Sequence, residues 1–388
     1  MMEQFNIFQE MYPTFKFNKP TITLFEAFAG IGSQAKALRR LSKELGFYLD
    51  VIGISEIDPY AIKSYEAVHG RVFNYGDIAK IKKLPNTIDI FTYSFPCQDI
   101  SLAGHKKGLT KGSGTRSGLL WEVERLLKIS DKPKVLLMEN VSALVSELHI
   151  NDFKDWLLSL EKMGYTTFWD KLNSKHYGIP QNRDRVFAVS ILGEYNYNFP
   201  KPFELKLRLK DMLETNVDEK YYLSDKLIKT LSKKTKNYDR SKIFEPYNPC
   251  EKDAAKCITT RSGDRPTDNF LLIPQNNKND GDLGVVVKAG QFRPKNRNYN
   301  HDNEKRKEQF ETRKDELANA ILTVEQHNAI QEDLRIRKLT PRECWRLMGF
   351  SDEDFNKAEK VCSNSQLYKQ AGNSIVVDVL YYIFKNLF

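Results

Sequence analysis

The sequence predicts an α/β protein built on a doubly wound parallel sheet, with a second, smaller domain of mixed structure. Three observations predict it. Residues 21–192 alternate short apolar, β-branched runs with stretches whose apolar residues recur at helical spacing, the pattern of consecutive βαβ units. A glycine-rich turn follows the first run and opens a helix, as at the ligand-binding edge of an open sheet. From about 193 the texture turns charged, Asn-rich and loop-rich, and it becomes compact again only after 338. The expected divisions are therefore 1–192, 193–337 and 338–388.

Each element has its own signal. Strands are expected at Thr21–Phe25, Tyr48–Ile54, Ile88–Ser94, Lys134–Glu139, Thr166–Leu172 and Val186–Leu192. Helices are expected over Ser33–Glu44, Tyr60–His69, Gly118–Lys128 and Phe153–Met163. In the last of these, Phe153, Trp156, Leu157, Leu160 and Met163 fall on one face at the i, i+3, i+4, i+7 spacing. Short β-like pieces, Lys256–Thr260 and Val285–Val287, punctuate the middle stretch. The chain closes on an apolar helix over Ser374–Leu387.

Composition narrows the classes. At 388 residues and 40% hydrophobic content the chain exceeds one minimal domain and can bury a core. Its best membrane candidate, Ile375–Phe384, is short and interrupted by Asp378, so no span is expected. The first twenty residues lack the charged start, apolar middle and small-residue end of a secretion signal. Five cysteines without a C-x-x-C pair favour neither a disulfide framework nor a cysteine-rich zinc site. A reducing cytoplasm and no metal are the expectations. Sixty basic against 51 acidic residues leave a net charge of +9, compatible with a polyanion partner. Residues 195–335 contribute 27 basic and 23 acidic residues, so the excess is spread along the chain. Lys229–Lys242, and Arg293, Lys295 and Arg297 among Phe292 and Tyr299, could meet phosphates, but each taken alone reads more readily as a solvated face.

The chemistry-bearing residues cluster at strand ends. Phe28, Gly30 and Gly32 lie in the FAGIG turn, shorter than a dinucleotide G-x-G-x-x-G. Glu56 closes the second strand, where an acid can hydrogen-bond a ribose, and Asp77 is expected at the end of a short third strand. A hydride-transfer enzyme and a methyltransferase both fit this edge. The next segment discriminates. In SFPCQDIS, Cys97 follows a strand and a rigid proline, Pro96, a partly exposed position suited to a nucleophilic thiol. The loop from Asp99 to Ser117 carries Gly104, Gly108, Gly112 and Gly114, so it can move over a substrate. Forty-two residues beyond Cys97, the strand KVLLM delivers Glu139 to the same edge, where a raised pKa would let it donate a proton. Arg183 and Arg185, two apart before the last strand, share one side of an extended chain and suit an anion or a substrate ring.

With these residues in view the chain resembles the DNA (cytosine-5)-methyltransferases. FAGIG, SEIDPYA, GDI, SFPCQDIS, LMENV, GIPQNRDRVFAV, KLTPRECWRLMGF and AGNSIVV stand in that family's order over about 21–192 and 338–380. The resemblance implies a Rossmann-like S-adenosylmethionine-dependent methyltransferase domain in 1–192 and a target-recognition domain in 193–337. Phe28, Gly30, Gly32 and Pro96 would then line the cofactor edge, Glu56 would hold the ribose, Asp77 and Ile78 the adenine, and Asn373 and Ser374 would close the site. The chain departs at Ile57, where the family often carries an aromatic residue against the adenine. Cys97 would be the nucleophile and Glu139 the acid. Gln98, with Ser101 and its loop, would hold the base flipped out of the stack, and Arg183 and Arg185 would position it. Ile258–Gly263 would be a threonine-rich recognition element, with Arg261 or Arg265 reading guanine. The implied partner is double-stranded DNA, met by a monomer in the cytoplasm, with a restriction endonuclease as candidate companion.

Two rivals share the core. A tRNA cytosine-5-methyltransferase would not need about 140 residues to read duplex sequence, and a silent DNA-binding relative would not need Cys97, Glu139 and Arg185. An adenine-N6 enzyme is disfavoured: Asp58-Pro59-Tyr60 is a fragment of its tetrapeptide, in a helix-start context.

Overall fold

A computed structural model describes residues 12–96, 117–235, 238–240, 243–274, 288–294, 308–312, 329–331 and 334–388. Its elements begin with β1 (Thr21–Ala27), α1 (Ser33–Leu45), β2 (Tyr48–Ser55), α2 (Pro59–His69) and β3 (Ile90–Tyr93). They continue with α3 (Leu120–Ile129), β4 (Val135–Val141), α4 (Ile150–Lys162), β5 (Tyr165–Asn173), β6 (Gln181–Asn182) and β7 (Asp184–Leu192). Apart from the short strand expected before Asp77, each strand and helix expected in this stretch is present, with ends shifted by up to three residues.

The strands form one sheet in the order β2-β1-β3-β4-β7-β5. The first three pairings are parallel, and β7 runs antiparallel to both β4 and β5. Strand order reverses between β1 and β3. In such sheets the crevice at the carboxyl ends on either side of that reversal is the ligand site, and here it lies between the ends of β1 and β3. Along β1 the pleat sends Phe25 and Ala27 into a core shared with Phe91, Leu136, Met138, α3 and α4. Glu26 points to the other face and meets α1 and α2. Both faces are covered, as the doubly wound reading requires.

Two expectations shift. No third strand forms before Asp77: Asn74 makes a single parallel bridge to Ile54, and Asp77 instead caps the short 3₁₀ turn Ile78–Lys80 through Ala79 N. The C-terminal helix begins at Val377 rather than Ser374, for a reason visible in the site described below.

Contacts divide the chain into two units. The first comprises the described residues up to Leu213, Lys252–Asn269 and Leu339–Phe388; the second comprises Glu214–Glu251 and the described parts of Phe270–Lys338. The second unit holds α5 (Asp225–Leu231), the pair β8 (Lys234–Thr235) and β9 (Tyr238–Asp239), and five further strands described below. The segment 252–269 rejoins the first unit through β10 (Ala255–Lys256), which pairs in parallel with β6. Back in the second unit, β11 (Phe270–Pro274) pairs antiparallel with β15 (Leu334–Lys338). There β12 (Lys288–Pro294) lies between β13 (Glu308–Thr312) and β14 (Ala329–Gln331). The sequence boundary at 193 thus falls earlier than the change of unit after Leu213, and Val285–Val287 lies outside the described residues.

The final segment supplies α6 (Pro341–Arg346), α7 (Asp352–Glu359), α8 (Asn364–Asn373) and α9 (Val377–Lys385). T-P-R-E at 340–343 is a helix start: Thr340 and Glu343 cap reciprocally and Pro341 occupies the first turn. Helix α9 lies against α1, with Arg40 paired to Asp378 at 2.7 Å and Glu44 to Lys385 at 2.7 Å. No described helix is long and apolar enough to cross a membrane.

Candidate active site

The glycine turn is unusual in its backbone. Phe28 has φ 57°, Gly30 55° and Gly32 78°, so three alternate residues are left-handed. A non-glycine residue in this region stores strain of roughly 1–2 kcal/mol, which functional sites tolerate when the surroundings hold it. The two glycines are needed for different reasons. A Cβ at Gly30 would meet nothing within 4 Å, so that face stays open to a ligand. A Cβ at Gly32 would fall 2.5 Å from His69 Nε2 and 2.6 Å from Tyr65 Cε2, so this glycine makes room for α2.

Glu56 ties the turn to the end of β2. Its Oε2 accepts from Gly30 N at 2.8 Å, and its Oε1 accepts from the Ile57 and Asp58 amides, both at 2.8 Å. A carboxylate has about four acceptor positions, so one remains for an outside hydroxyl. Asn74 fixes this residue: its Nδ2 donates to Glu56 O, and its Oδ1 accepts from Glu56 N and Gly76 N. Ile57 itself is 71% exposed. Asp77 and the buried Ile78 follow directly, so two carboxylates and an open glycine backbone border one edge. That donor and acceptor set fits a nucleoside.

The second cluster lies across the strand reversal. Beyond β3, Phe95 O accepts from the buried Asn140 Nδ2 at 3.0 Å, and Ser94 hydrogen-bonds Glu139. The described chain stops at Pro96; Cys97 and Gln98 lie outside the described residues, as does most of the glycine-bearing loop. Glu139 is 8% exposed and sits 3.1 Å from Arg185 Nε. Burial pushes its carboxyl above the ordinary carboxylate range; the charges of Arg185 and Arg183 and hydrogen bonds from Arg185 and Ser94 oppose this without cancelling it. A carboxyl so placed keeps a proton to higher pH than a surface glutamate.

The two arginines do face the same side, yet they do different things. Arg183 is buried, and its two terminal nitrogens are spent on protein groups: Cys257 Sγ at 3.3 Å, Ile258 O at 3.0 Å, Gly372 O at 3.0 Å and Ser374 O at 2.7 Å. Because the carbonyls of Gly372 and Ser374 turn to Arg183, Ser374 is extended and the helix cannot run through it. Ser374 is buried and Asn373 exposed at this break. Arg185 donates to Asp184 O and keeps Glu139 as its partner. Gln181 repeats the tie, with Oε1 accepting from Ile258 N and Nε2 donating to Leu347 O. Burial raises the Cys257 thiol, but both arginines outweigh it and leave the thiol below its ordinary value.

Ile258–Gly263 therefore packs into the first unit, and Gly372 is required there, since a Cβ would lie 2.3 Å from Thr260 N. The loop that follows is organised by Asp268, which accepts from Gly263, Asp264 and Arg265 amides and leaves Arg261 and Arg265 exposed. Asn74, Gln181 and Ser94 escaped sequence reading as functional positions. Only their place inside quoted motifs or next to GDI could have flagged them.

Residues 22–388 match the model of the C-5 cytosine-specific DNA methylase family. The chain is 33% identical to the type II methyltransferase M2.ScrFI of Lactococcus lactis subsp. cremoris, over 95% of this chain and 99% of that protein. It is also 33% identical to the orphan methyltransferase M.SPRI of Bacillus phage SPR, over 94% and 97% of the two chains. Among solved structures, an Entamoeba histolytica methyltransferase covers 95% of this chain with TM-score 0.66 at 18% identity, with 98% of its own length matched. The S. pombe Dnmt2 methyltransferase covers 95% with TM-score 0.61 at 18% identity, again over 98% of its length. At such identities the structural likeness speaks for the fold.

Proposed function

Because this chain belongs to the C-5 cytosine-specific DNA methylase family and is a DNA cytosine-5 methyltransferase, we propose that it methylates a cytosine flipped out of duplex DNA through a covalent Cys97–C6 bond, with S-adenosylmethionine as donor. S-adenosylmethionine, when bound, supplies an electrophilic methyl group on a sulfonium. The residues fit it: Gly30 leaves an open face for close approach, and Glu56 retains one acceptor position for a ribose hydroxyl. Phe28, Gly32, Asp77, Ile78, Pro96, Asn373 and Ser374 complete the proposed cofactor edge.

Cytosine C5 is too weak a nucleophile to take a methyl group unaided. The Cys97 thiolate adds to C6 of the base, forming the S–C6 bond while the C5–C6 π electrons move onto the ring. Glu139, retaining its proton, donates to N3 so that negative charge does not build there. C5, made enamine-like by these two residues, would be nucleophilic enough to take the methyl group that S-adenosylmethionine would supply, the sulfonium–methyl bond breaking to leave S-adenosylhomocysteine. Loss of the C5 proton to solvent, expulsion of the Cys97 thiolate and return of the N3 proton to Glu139 restore the aromatic ring and the starting acid. Arg185, paired with Glu139, would orient that acid and position the flipped base. Gln98 would stabilise the flipped base, and Arg183 acts by holding the 257–258 and 372–374 segments in place. Flipping costs a few kcal/mol and is offset by contacts to the extruded base and the DNA backbone.

The observation that carries this reading is the buried Glu139, protonated more readily than a surface acid, hydrogen-bonded to Ser94 three residues before Cys97. We read the enzyme as a cytoplasmic monomer. A restriction endonuclease is its candidate companion, in keeping with its type II relative; the orphan relative represents the alternative of acting alone.

Duplex DNA carrying 5-fluorocytosine tests the covalent step. Cys97 can add and the methyl group can transfer, but fluorine cannot leave as a cation, so the thioether should persist. With cofactor, a denaturation-resistant gel shift is expected, and mass spectrometry should place it on Cys97. Cys97→Ser should bind the duplex and form no adduct, an alcohol being almost wholly protonated at neutral pH. An adduct mapping to Cys250, Cys257, Cys344 or Cys362 would overturn the assignment.

A further inference from the structure

The far side of the glycine turn is held by a buried polar network that the mechanism does not use. Tyr65 and His69 stand one turn apart on α2, on the same face, with ring centroids 4.8 Å apart. Tyr65 OH donates to Glu26 Oε2 at 2.6 Å, and Glu26 Oε1 accepts from Ala35 N at 3.0 Å. His69 Nε2 lies 3.0 Å from Ile31 O. The network therefore grips the chain before the turn, within it and after it. Glu26 and Tyr65 are fully buried. Both α2 rings fill the space that a Gly32 side chain would take, so they shape the turn directly.

We propose that Tyr65 and His69, with Glu26, are positioning residues for the methyl donor: they set the shape of the Phe28–Gly32 turn, and their hold loosens when Glu26 takes up a proton. The proposal rests on the reading that this turn binds S-adenosylmethionine.

Tyr65 OH and Ala35 N–H both donate to Glu26, which an ionised carboxylate accepts on separate oxygens. A proton on Oε1 sets donor against donor at Ala35 N–H, whereas a proton on Oε2 is donated to the Tyr65 oxygen, which reverses that bond and takes the Tyr65 hydrogen off the carboxylate. Either way one buried donor loses its place on Glu26. Burial raises the Glu26 carboxyl to about 7, while Tyr65, Ala35 N–H and the charge of Arg39 hold it down. The groups facing Glu26 are Tyr65 from α2 and Arg39 with the Ala35 amide from α1; its partners in β2 and β3, Ile54 and Thr92, carry no charge. Burial lowers His69 to about 4, with Arg39 and Lys36 adding to that and Asp354 and Ile31 O opposing. A neutral imidazole has one N–H, and with a carbonyl at Nε2 that is where the proton sits.

The sign follows. If the ionised form holds the turn, cofactor affinity is full above pH 7 and falls as pH drops through it, and binding releases a proton. The probe is S-adenosylhomocysteine, titrated calorimetrically into the whole enzyme between pH 6 and 8.5. Wild type should lose about tenfold in affinity from pH 8 to 6. Glu26→Gln, which presents an N–H in place of one acceptor, should bind weakly and independently of pH. Tyr65→Phe should bind more weakly and move the midpoint upward, since a bond to the charged form is gone. His69→Phe should weaken binding, and His69→Gln, which keeps an N–H for Ile31 O, should restore it. A merely structural role would lower Tm and leave the pH profile unmoved. A flat wild-type profile, or Tyr65→Phe and His69→Phe binding as wild type does, overturns the inference and leaves the cofactor reading standing. Failure of the wild-type enzyme to bind S-adenosylhomocysteine at any pH overturns that reading itself.

Discussion

Glu139 concentrates the residue-scale question, because a buried acid beside an arginine must choose between salt bridge and proton. Desolvation wins, with Arg185 and Arg183 narrowing the margin. The rate should therefore fall as pH rises through the raised Glu139 value, since the donor form is lost there. Glu139→Gln can still hydrogen-bond N3 but cannot protonate it. We expect about 10²–10⁴-fold slower turnover, no fall on that alkaline limb, and little change in DNA affinity. Near-full rate in steady-state methyl-transfer assays would remove Glu139 from the chemistry. At this scale Glu56 and Glu139 could be singled out as acids closing apolar runs, while Asp77, expected at a strand end, has the commoner use of such an acid and caps a 3₁₀ turn. The difference between Arg183 and Arg185 was not. Spacing of two places both on one side of the chain, but only the fold shows that one meets carbonyls from residues 258, 372 and 374. Tyr65 and His69 carry no motif at all. Their role depends on a turn more than thirty residues away in sequence.

At the scale of elements, alternation and helical period were enough to place β1 to β5, β7 and α1 to α4. What they missed has external causes. Nothing in IVVDVLYYIF announces that α9 starts at Val377, because the interruption comes from a guanidinium nearly two hundred residues earlier. The third strand failed because residues 71–77 contribute one bridge and then turn, with Asn74 spending its amide on Glu56 and Gly76. The Arg183 tie can be tested by substitution. Lys keeps the charge but not the planar fork, so it cannot serve three separated carbonyls and a sulfur. Each buried carbonyl left without a donor costs about 1–3 kcal/mol. Arg183→Lys should lower unfolding free energy by roughly 2–4 kcal/mol, read by denaturant titration with unchanged slope. A loss under about 0.5 kcal/mol would mean that water or neighbouring groups replace the bonds freely.

For the whole molecule, texture along the chain separated an ordered α/β unit from a charged, Asn-rich one, whereas the C-terminal return, through Asn373 and Ser374, was implied by the family resemblance. The threonine-rich segment was assigned by texture to the variable stretch, yet 252–269 packs with the first unit through β10, Gln181 and Arg183. Composition could not show this, because segment 252–269 is as polar as its neighbours and its anchors lie elsewhere in the chain. The placement changes what Arg261 and Arg265 are expected to do. Both are exposed on an Asp268-organised loop of the unit that carries Glu139, rather than in the unit proposed to read sequence. A cation held there meets the DNA backbone more readily than it selects a base, and phosphate contacts position without specifying. Arg261→Ala and Arg265→Ala should each weaken binding to target and non-target duplexes alike and reduce the salt slope of log K by about 1. Bisulfite sequencing of DNA from a host expressing either variant should show the wild-type methylation site. Relaxed preference at one base, by the ~1–3 kcal/mol of a lost bidentate guanine contact, would instead restore these arginines to direct readout. Sequence choice would then be shared by both units.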